Sequence, residues 1–324
     1  MRTALITGIS GQTGSYLAEQ LLADGWAVHG LVRKADARRD ALEGTAPEAV
    51  LHEGDLADAA RLAELVDDVA PDAIFNLGGL TSVAASWGQP IETEAVTARP
   101  VAVLLDACRR LRDRTGHPVA FVQASSAEIF GHSDEVPQRE STPVRPVNPY
   151  GAAKAYGHHL VGAYRAVGLN ASSCILFNHE SPRRPETFVT RKITAGVARI
   201  HLGLETKLRL GNLDAVRDWG WAPDYARALA LAAARPDDYV IATGVAHSVA
   251  DFVAMSFAAV GITDWRSLVE QDPAFIRPTD AAIQLGDASR AHDALGWSPT
   301  IDLESVVGAM VAHDVERLGG EAHA

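Results

Sequence analysis

Short apolar runs alternate with stretches of helical spacing through the first half of the chain. Residues 3–7, 27–32, 50–52, 73–79, 120–124 and 173–177 read as strands, and the pattern Tyr16-Leu17-Ala18-Glu19-Gln20-Leu21-Leu22 and the run 101–112 read as helices between them. Strands that alternate with helices in this way predict an α/β fold built on a doubly wound parallel sheet. The alternation lasts to residue 177, which predicts a sheet domain over 1–177 and a smaller substrate-binding lobe over 178–324. One later run, 238–241, is apolar enough to return to the sheet. No repeat, low-complexity tract or charge block interrupts the pattern.

Two breaks in the pattern carry chemistry. The first strand runs into Gly8-Ile9-Ser10-Gly11-Gln12-Thr13-Gly14 and then into a helix. A tight glycine turn at a helix start presents backbone N–H groups to a pyrophosphate, and a side chain there would hold the phosphate away. The Gly-x-x-Gly-x-x-Gly spacing resembles that of the short-chain dehydrogenase/reductase superfamily. The second strand ends in Arg33-Lys34, cations that suit the extra phosphate of NADP where a carboxylate would select NAD. The third ends in Glu53-Gly54-Asp55-Leu56, where a carboxylate can reach an adenine amino group.

The second break is Asn148-Pro149-Tyr150-Gly151-Ala152-Ala153-Lys154. Proline opens a helix, and positions i and i+4 share a face, so Tyr150 and Lys154 project together. A nearby ammonium favours the phenolate and makes the tyrosine a better base. Upstream, Ser125-Ser126-Ala127-Glu128 follows the fifth strand, at the sheet end where ligands bind. Ser126 offers a hydroxyl to a substrate hydroxyl. Glu128 adds a second acid/base that simple alcohol oxidation does not require.

Composition narrows the partners. The 324 residues are 47% hydrophobic and 22% charged, as in ordinary globular enzymes. A net charge of −12 argues against nucleic acid as a partner, so a phosphate-bearing ligand must meet local cations. Such cations occur in Pro182-Arg183-Arg184, Arg191-Lys192, Arg217-Asp218-Trp219-Gly220 and Arg277-Pro278. Cys108 and Cys174 lack metal-ligand spacing and read as buried thiols, and no metal site is expected. The chain starts directly on a strand and has no apolar run of membrane-spanning length, which predicts a cytoplasmic protein with no membrane partner. His158 and His159 read as packing or surface residues.

From Leu5-Ile6-Thr7-Gly8 to Leu295-Gly296-Trp297 the chain resembles the GDP-mannose 4,6-dehydratase family of extended short-chain dehydrogenases. The most specific parts are Phe177-Asn178-His179-Glu180-Ser181-Pro182-Arg183-Arg184, Thr190-Arg191-Lys192-Ile193-Thr194, Gly211-Asn212-Leu213-Asp214 and Arg217-Asp218-Trp219-Gly220. The resemblance implies a Rossmann-like fold, NADP as cofactor and a catalytic set of Ser126, Glu128, Tyr150 and Lys154. It implies that Gly8, Gly11, Gln12, Gly14, Arg33, Asp55 and Leu56, with Tyr150 and Lys154, bind the cofactor. It assigns Asn178, Glu180, Lys192, Arg217 and Arg277 to the GDP-linked sugar.

The implied reaction is a 4,6-dehydration by internal hydride transfer, from GDP-mannose or a related GDP-sugar to the 4-keto-6-deoxy sugar. An epimerase or reductase on the same fold is the alternative, followed by an NADP-sensing module without catalysis. The chain departs from the family pattern at Leu80-Thr81-Ser82-Val83, around Val96-Thr97-Ala98, at Thr13 and at Asp280. It also has a short segment between Lys34 and Leu51, where the family carries a longer arm to a neighbouring subunit. A homo-oligomer is implied, a dimer favoured by the short arm, with the family's tetramer still open.

Overall fold

The computed structural model describes residues 1–36, 38–275 and 283–321. Its strands are β1 (Thr3–Thr7), β2 (Ala27–Val32), β3 (Val50–Glu53), β4 (Ala73–Asn76), β5 (Ala120–Ala124), β6 (Asn170–Leu176), β7 (Asn178–Glu180), β8 (Leu208–Leu210), β9 (Val216–Trp221), β10 (Asp238–Ile241), β11 (Ala246–Ser248), β12 (Val269–Gln271) and β13 (Ile283–Gln284). Seven of them form one parallel sheet in the order β10-β6-β5-β4-β1-β2-β3. The expected return of 238–241 is its outer strand, in register with β6 from Asp238 opposite Ser173 to Ile241 opposite Leu176.

Both faces of this sheet are covered, as continuous apolar strands require. Side chains alternate with a period of two. Leu5, Ile74 and Phe121 therefore enter one core, with the helices Ala59–Val69 and Arg99–Thr115. Ile6, Phe75 and Val122 enter the other, with the helices Gln12–Ala23 and Ala222–Ala232. A further core around Trp219, Phe252, Phe257 and Met310 joins β9 to the helices Val189–His201, Val249–Ala258 and Leu303–Glu321.

The strand order reverses between β1 and β4, and the crevice beyond the carboxyl ends of such strands is where this fold takes its ligands. A smaller sheet, β11-β9-β13 with β7 paired to β9, lies after residue 177. β7 follows β6 after one residue, so the chain leaves the large sheet and enters the small one beside that crevice. Among the described residues no helix is long and apolar enough to cross a membrane.

Candidate active site

The helix Pro149–Ala166 opens as its sequence dictates, with Asn148 as N-cap and Pro149 in the first turn. Asn148 Oδ1 accepts from the N–H of Gly151 at 2.7 Å. Gly151 has to be glycine, because a Cβ there would lie 2.6 Å from the carbonyl oxygen of Glu128. That close approach sets the helix against the turn after β5, so Tyr150 and Lys154 face Ser126 and Glu128.

Lys154 is buried, and its Nζ donates to the carbonyl of Ala124 at 2.8 Å and lies 5.7 Å from the Tyr150 ring centre. The same carbonyl accepts from Gln123 Nε2 at 2.9 Å. Gln123 Oε1 in turn accepts from Asn76 Nδ2 at 2.8 Å, and Asn76 Oδ1 accepts from the Thr7 hydroxyl at 2.6 Å. A buried polar strut thus crosses the carboxyl ends of β1, β4 and β5 and ends at the lysine's acceptor. Every link is paired, as a dry network must be.

The electrostatics differ from the simple tyrosine–lysine argument. Burial pushes the Tyr150 phenol up to about 12, the hydrogen bond from Ser126 and the charge of Arg184 act downward, and the charge of Glu128 adds to the rise. Lys154 is not among the groups that lower it. Burial pulls the Lys154 ammonium down to about 8, so it stays largely charged at neutral pH but gives up its proton far more readily than a solvated lysine. In a dry site desolvation outweighs one neighbouring cation.

Ser126 caps the short turn Ala127–Ile129, its Oγ accepting from the N–H of Glu128 at 3.3 Å, and its hydroxyl lies near enough to the Tyr150 phenol to act downward on the phenol's pKa. Glu128 is half-buried and held at both oxygens. Asn148 Nδ2 donates to Oε2 at 2.8 Å, and Gln284 Nε2, from β13, donates to Oε1 at 3.1 Å. Ser126, Glu128, Tyr150 and Lys154 therefore converge.

The glycine turn fits a dinucleotide. Gly8 has φ +70°, and a Cβ on it would lie 2.8 Å from Gly78. A Cβ on Gly14 would lie 2.2 Å from the Gly8 carbonyl oxygen, and one on Gly11 3.0 Å from it. The helix Gln12–Ala23 starts at Gly11 with no side-chain cap and no acidic residue in its first turn, leaving its end to an anion. The Ser125 hydroxyl, beside Ser126 at the end of β5, is buried with no hydrogen-bond partner among the described residues. Arg33 is exposed just past β2. Asp55 is exposed in the turn after β3, its Oδ1 accepting from the N–H of Ala57 at 2.8 Å. Leu56 sits against Gly78, where an added Cβ would lie 2.7 Å from its Cδ1.

Gln12 is put to another use as well. Its side chain donates to the carbonyl of His179 at 2.9 Å and accepts from the Ser181 hydroxyl at 2.8 Å. Thr13 Oγ1 lies 2.8 Å from His179 Nε2. His179 Nδ1 is 2.9 Å from the Phe177 carbonyl, which only an N–H can satisfy, so Nε2 accepts from Thr13. Burial pulls this imidazole down to about 3 and keeps it neutral. Arg183 pairs with Glu19 at 2.7 Å, bonds Ser15 Oγ at 3.0 Å and lies over the Tyr16 ring. Much of Asn178-His179-Glu180-Ser181-Pro182-Arg183-Arg184 thus clamps the glycine-turn helix to the later half of the chain.

Among the residues expected on the nucleotide sugar, Asn178 is half-buried on β7 opposite Trp219. Glu180 is buried, accepts from the Thr190 hydroxyl at 2.6 Å and lies 3.3 Å from Arg184 Nε. Lys192 Nζ lies 3.3 Å from the ring centre of Phe275, and partial burial lowers its pKa. Arg217 on β9 is buried and donates to the carbonyl of Val216 at 2.7 Å. Arg277 lies outside the described residues. Arg191, next to Lys192, is structural: buried, it pairs with Asp314 and donates to the Pro182 carbonyl at 3.1 Å. Gln284 is a site residue that the sequence did not single out, and Asn148 and Arg184, though part of motifs that it did, gave there no sign of their roles beside Glu128 and Tyr150. Both cysteines are buried free thiols, and His158 is a packing residue bonded to Ser173 Oγ at 2.9 Å.

A family model described as GDP-mannose 4,6 dehydratase matches residues 5–310. GDP-mannose 4,6 dehydratase 1 of Arabidopsis thaliana is 45% identical, with 97% of this chain and 90% of that protein aligned. GDP-mannose 4,6-dehydratase of Yersinia enterocolitica is 42% identical over 98% of this chain and 95% of its own length. UDP-glucose 4-epimerase of Thermotoga maritima, solved with UDP-glucose, superposes with a TM-score of 0.85 over 98% of this chain and 99% of that one. Its 23% identity carries the fold alone.

Proposed function

The chain belongs to the GDP-mannose 4,6-dehydratase family, and from that premise we propose how its own residues divide the reaction. The protein is an NADP-dependent 4,6-dehydratase that takes GDP-mannose, or a related GDP-sugar, to the 4-keto-6-deoxy sugar. NADP, when bound, supplies the hydride acceptor at C4 and the donor at C6, so the sugar is rearranged with loss of water and no net oxidation. The glycine turn of Gly8, Gly11, Gln12 and Gly14 takes its pyrophosphate, and Arg33 its 2′-phosphate. Asp55 and Leu56 line the adenine end.

Tyr150 takes the proton of the sugar 4-hydroxyl, Ser126 hydrogen-bonds the phenol and the same hydroxyl, and Lys154 keeps a cation beside them. The resulting 4-ketone acidifies C5–H. Glu128 removes that proton as the C6–O bond breaks and, with Ser126, passes it to the departing hydroxide as water. Hydride delivery at C6 is then matched by a solvent-exchangeable proton entering at C5, made up by the one Tyr150 took from the 4-hydroxyl, so charge and atoms balance. The observation that carries this reading is Glu128 converging with Ser126, Tyr150 and Lys154 and held through both oxygens, since C4 oxidation alone needs no second base.

Asn178, Lys192, Arg217 and Arg277 hold the GDP group in a lobe formed mainly by 178–324, and Glu180 acts through Arg184. The test is the fate of label. Deuterium at C4 of GDP-mannose should reappear at C6 of the product and solvent deuterium should enter at C5; a product that keeps its 6-hydroxyl would point to an epimerase or reductase.

Two further expectations follow from the same reading. Arg33→Asp removes a phosphate partner and adds repulsion, so affinity for NADP should fall relative to NAD by about tenfold or more; an unchanged ratio removes Arg33 from the 2′-phosphate. The helices Arg99–Thr115 and Pro149–Ala166 also serve as a dimer contact. Leu104, Cys108 and Val161 are spent on the core, but Val103, Leu160 and Tyr164 are only partly covered and Tyr156 is exposed. Light scattering at micromolar concentration should give a dimer, and monomer alone would exclude it.

A further inference from the structure

We propose that Asn148 and Gln284 are positioning residues that aim Glu128 at the substrate carbon, an inference that rests on the dehydratase reading. Glu128 is held by two neutral amides, one on each oxygen, at 2.8 and 3.1 Å. They come from distant parts of the chain, the cap of the tyrosine helix and the buried end of β13.

The identity of the cap carries the argument. An N-cap needs only an acceptor, and Ser or Asp caps about as well as Asn. Asn148 spends its one acceptor on Gly151, which turns Nδ2 toward Glu128. A serine cap can also accept from its helix and donate to a carboxylate, as Ser248 does with Asp251, but through a single oxygen close to its own helix. Asparagine puts acceptor and donor on separate atoms, so Nδ2 can reach a carboxylate on another element. The contrast with Glu180 shows what the amides avoid. That carboxylate is buried against the Arg184 guanidinium, whose charge acts to lower its pKa although burial, the larger effect, leaves it raised. Amides fix direction through two hydrogen bonds without supplying a positive charge. The charge of Glu128 acts on the Tyr150 phenol, on which the Arg184 guanidinium acts in the opposite sense.

Asn148→Asp isolates the donor. It keeps the shape and the cap but sets a second carboxylate oxygen against Glu128 Oε2. Two carboxylates at one site share a proton, so the acid limb of kcat should move up by about one pH unit or more. Near the wild-type limb, C5 exchange with solvent deuterium should fall about tenfold or more, while KM for GDP-mannose and oxidation at C4 stay near wild type. Gln284→Met removes the other donor without adding charge, and should cut C5 exchange at unchanged KM. Should Asn148→Asp fail to fold, Gln284→Met decides alone. If the wild type dehydrates neither GDP-mannose nor a related GDP-sugar, the functional reading itself falls. If it does, and the variants keep wild-type exchange and the wild-type limb, the positioning role alone is wrong.

Discussion

Replacing Glu128 by Gln is expected to stop the reaction after C4 oxidation and before water is lost. General acid–base groups typically contribute a factor of ~10² to 10⁴, and turnover to the 6-deoxy product should fall by that order. The enzyme should then hold a 4-keto sugar that retains its 6-hydroxyl, which borodeuteride reduction and mass spectrometry can trap and count. Solvent deuterium should no longer enter at C5. An amide offers one acceptor where the carboxylate offers two, so either Asn148 or Gln284 loses its partner in this variant. Glu128→Asp is the control, since it keeps both acceptors and the charge but withdraws them by one methylene. It should retain part of the exchange. Tyr150→Phe should fail one step earlier, with no ketone trapped at all. Wild-type turnover by Glu128→Gln would place the C5 base elsewhere and return the epimerase or reductase reading to the front.

The large sheet was legible because its strands are short apolar runs separated by helical spacing, a signal local to each segment. The glycine turn and the tyrosine helix were legible for the same reason, since each motif lies within seven residues. The partners of those motifs were not. Gln284 meets Glu128 across 156 positions, and Gln12 and Arg183 reach their partners across 164 to 169. No local pattern distinguishes a loop arginine that holds a phosphate from one that holds Glu19. Asn148 had half a signal. Asparagine before proline reads as a cap, but the second use of its amide depends on where Glu128 arrives. The phenol's environment was also beyond the sequence, because spacing puts a lysine beside a tyrosine without saying how dry both will be.

That dryness makes Lys154 a test of how far function opposes stability. Its ammonium is held at about 8 against an ordinary 10.5, and the cause is burial. Between those values the unfolded chain binds a proton that the folded chain does not, so this group makes stability rise with pH across that window. Below about 8 both states are charged and the full penalty is present. Above 10.5 both are neutral and it is gone. Each pKa unit corresponds to about 1.4 kcal/mol, which puts the penalty at pH 7 on the order of 3 kcal/mol. Lys154→Met keeps the length and removes the charge, at the loss of the hydrogen bond to Ala124, whose carbonyl still accepts from Gln123. A net stabilisation of roughly 2 kcal/mol is expected at pH 7 after ~1 kcal/mol for the lost bond, with turnover down by ~10² or more. The stability gap between variant and wild type should narrow as pH rises from 7 to 9.5, a range below the upward-shifted Tyr150 at about 12. Urea denaturation of the two proteins without added cofactor, at several pH values in that range, measures the gap. A variant less stable than wild type at pH 7, or a gap that does not change with pH, would mean that the buried ammonium is solvated by the site and costs the fold nothing.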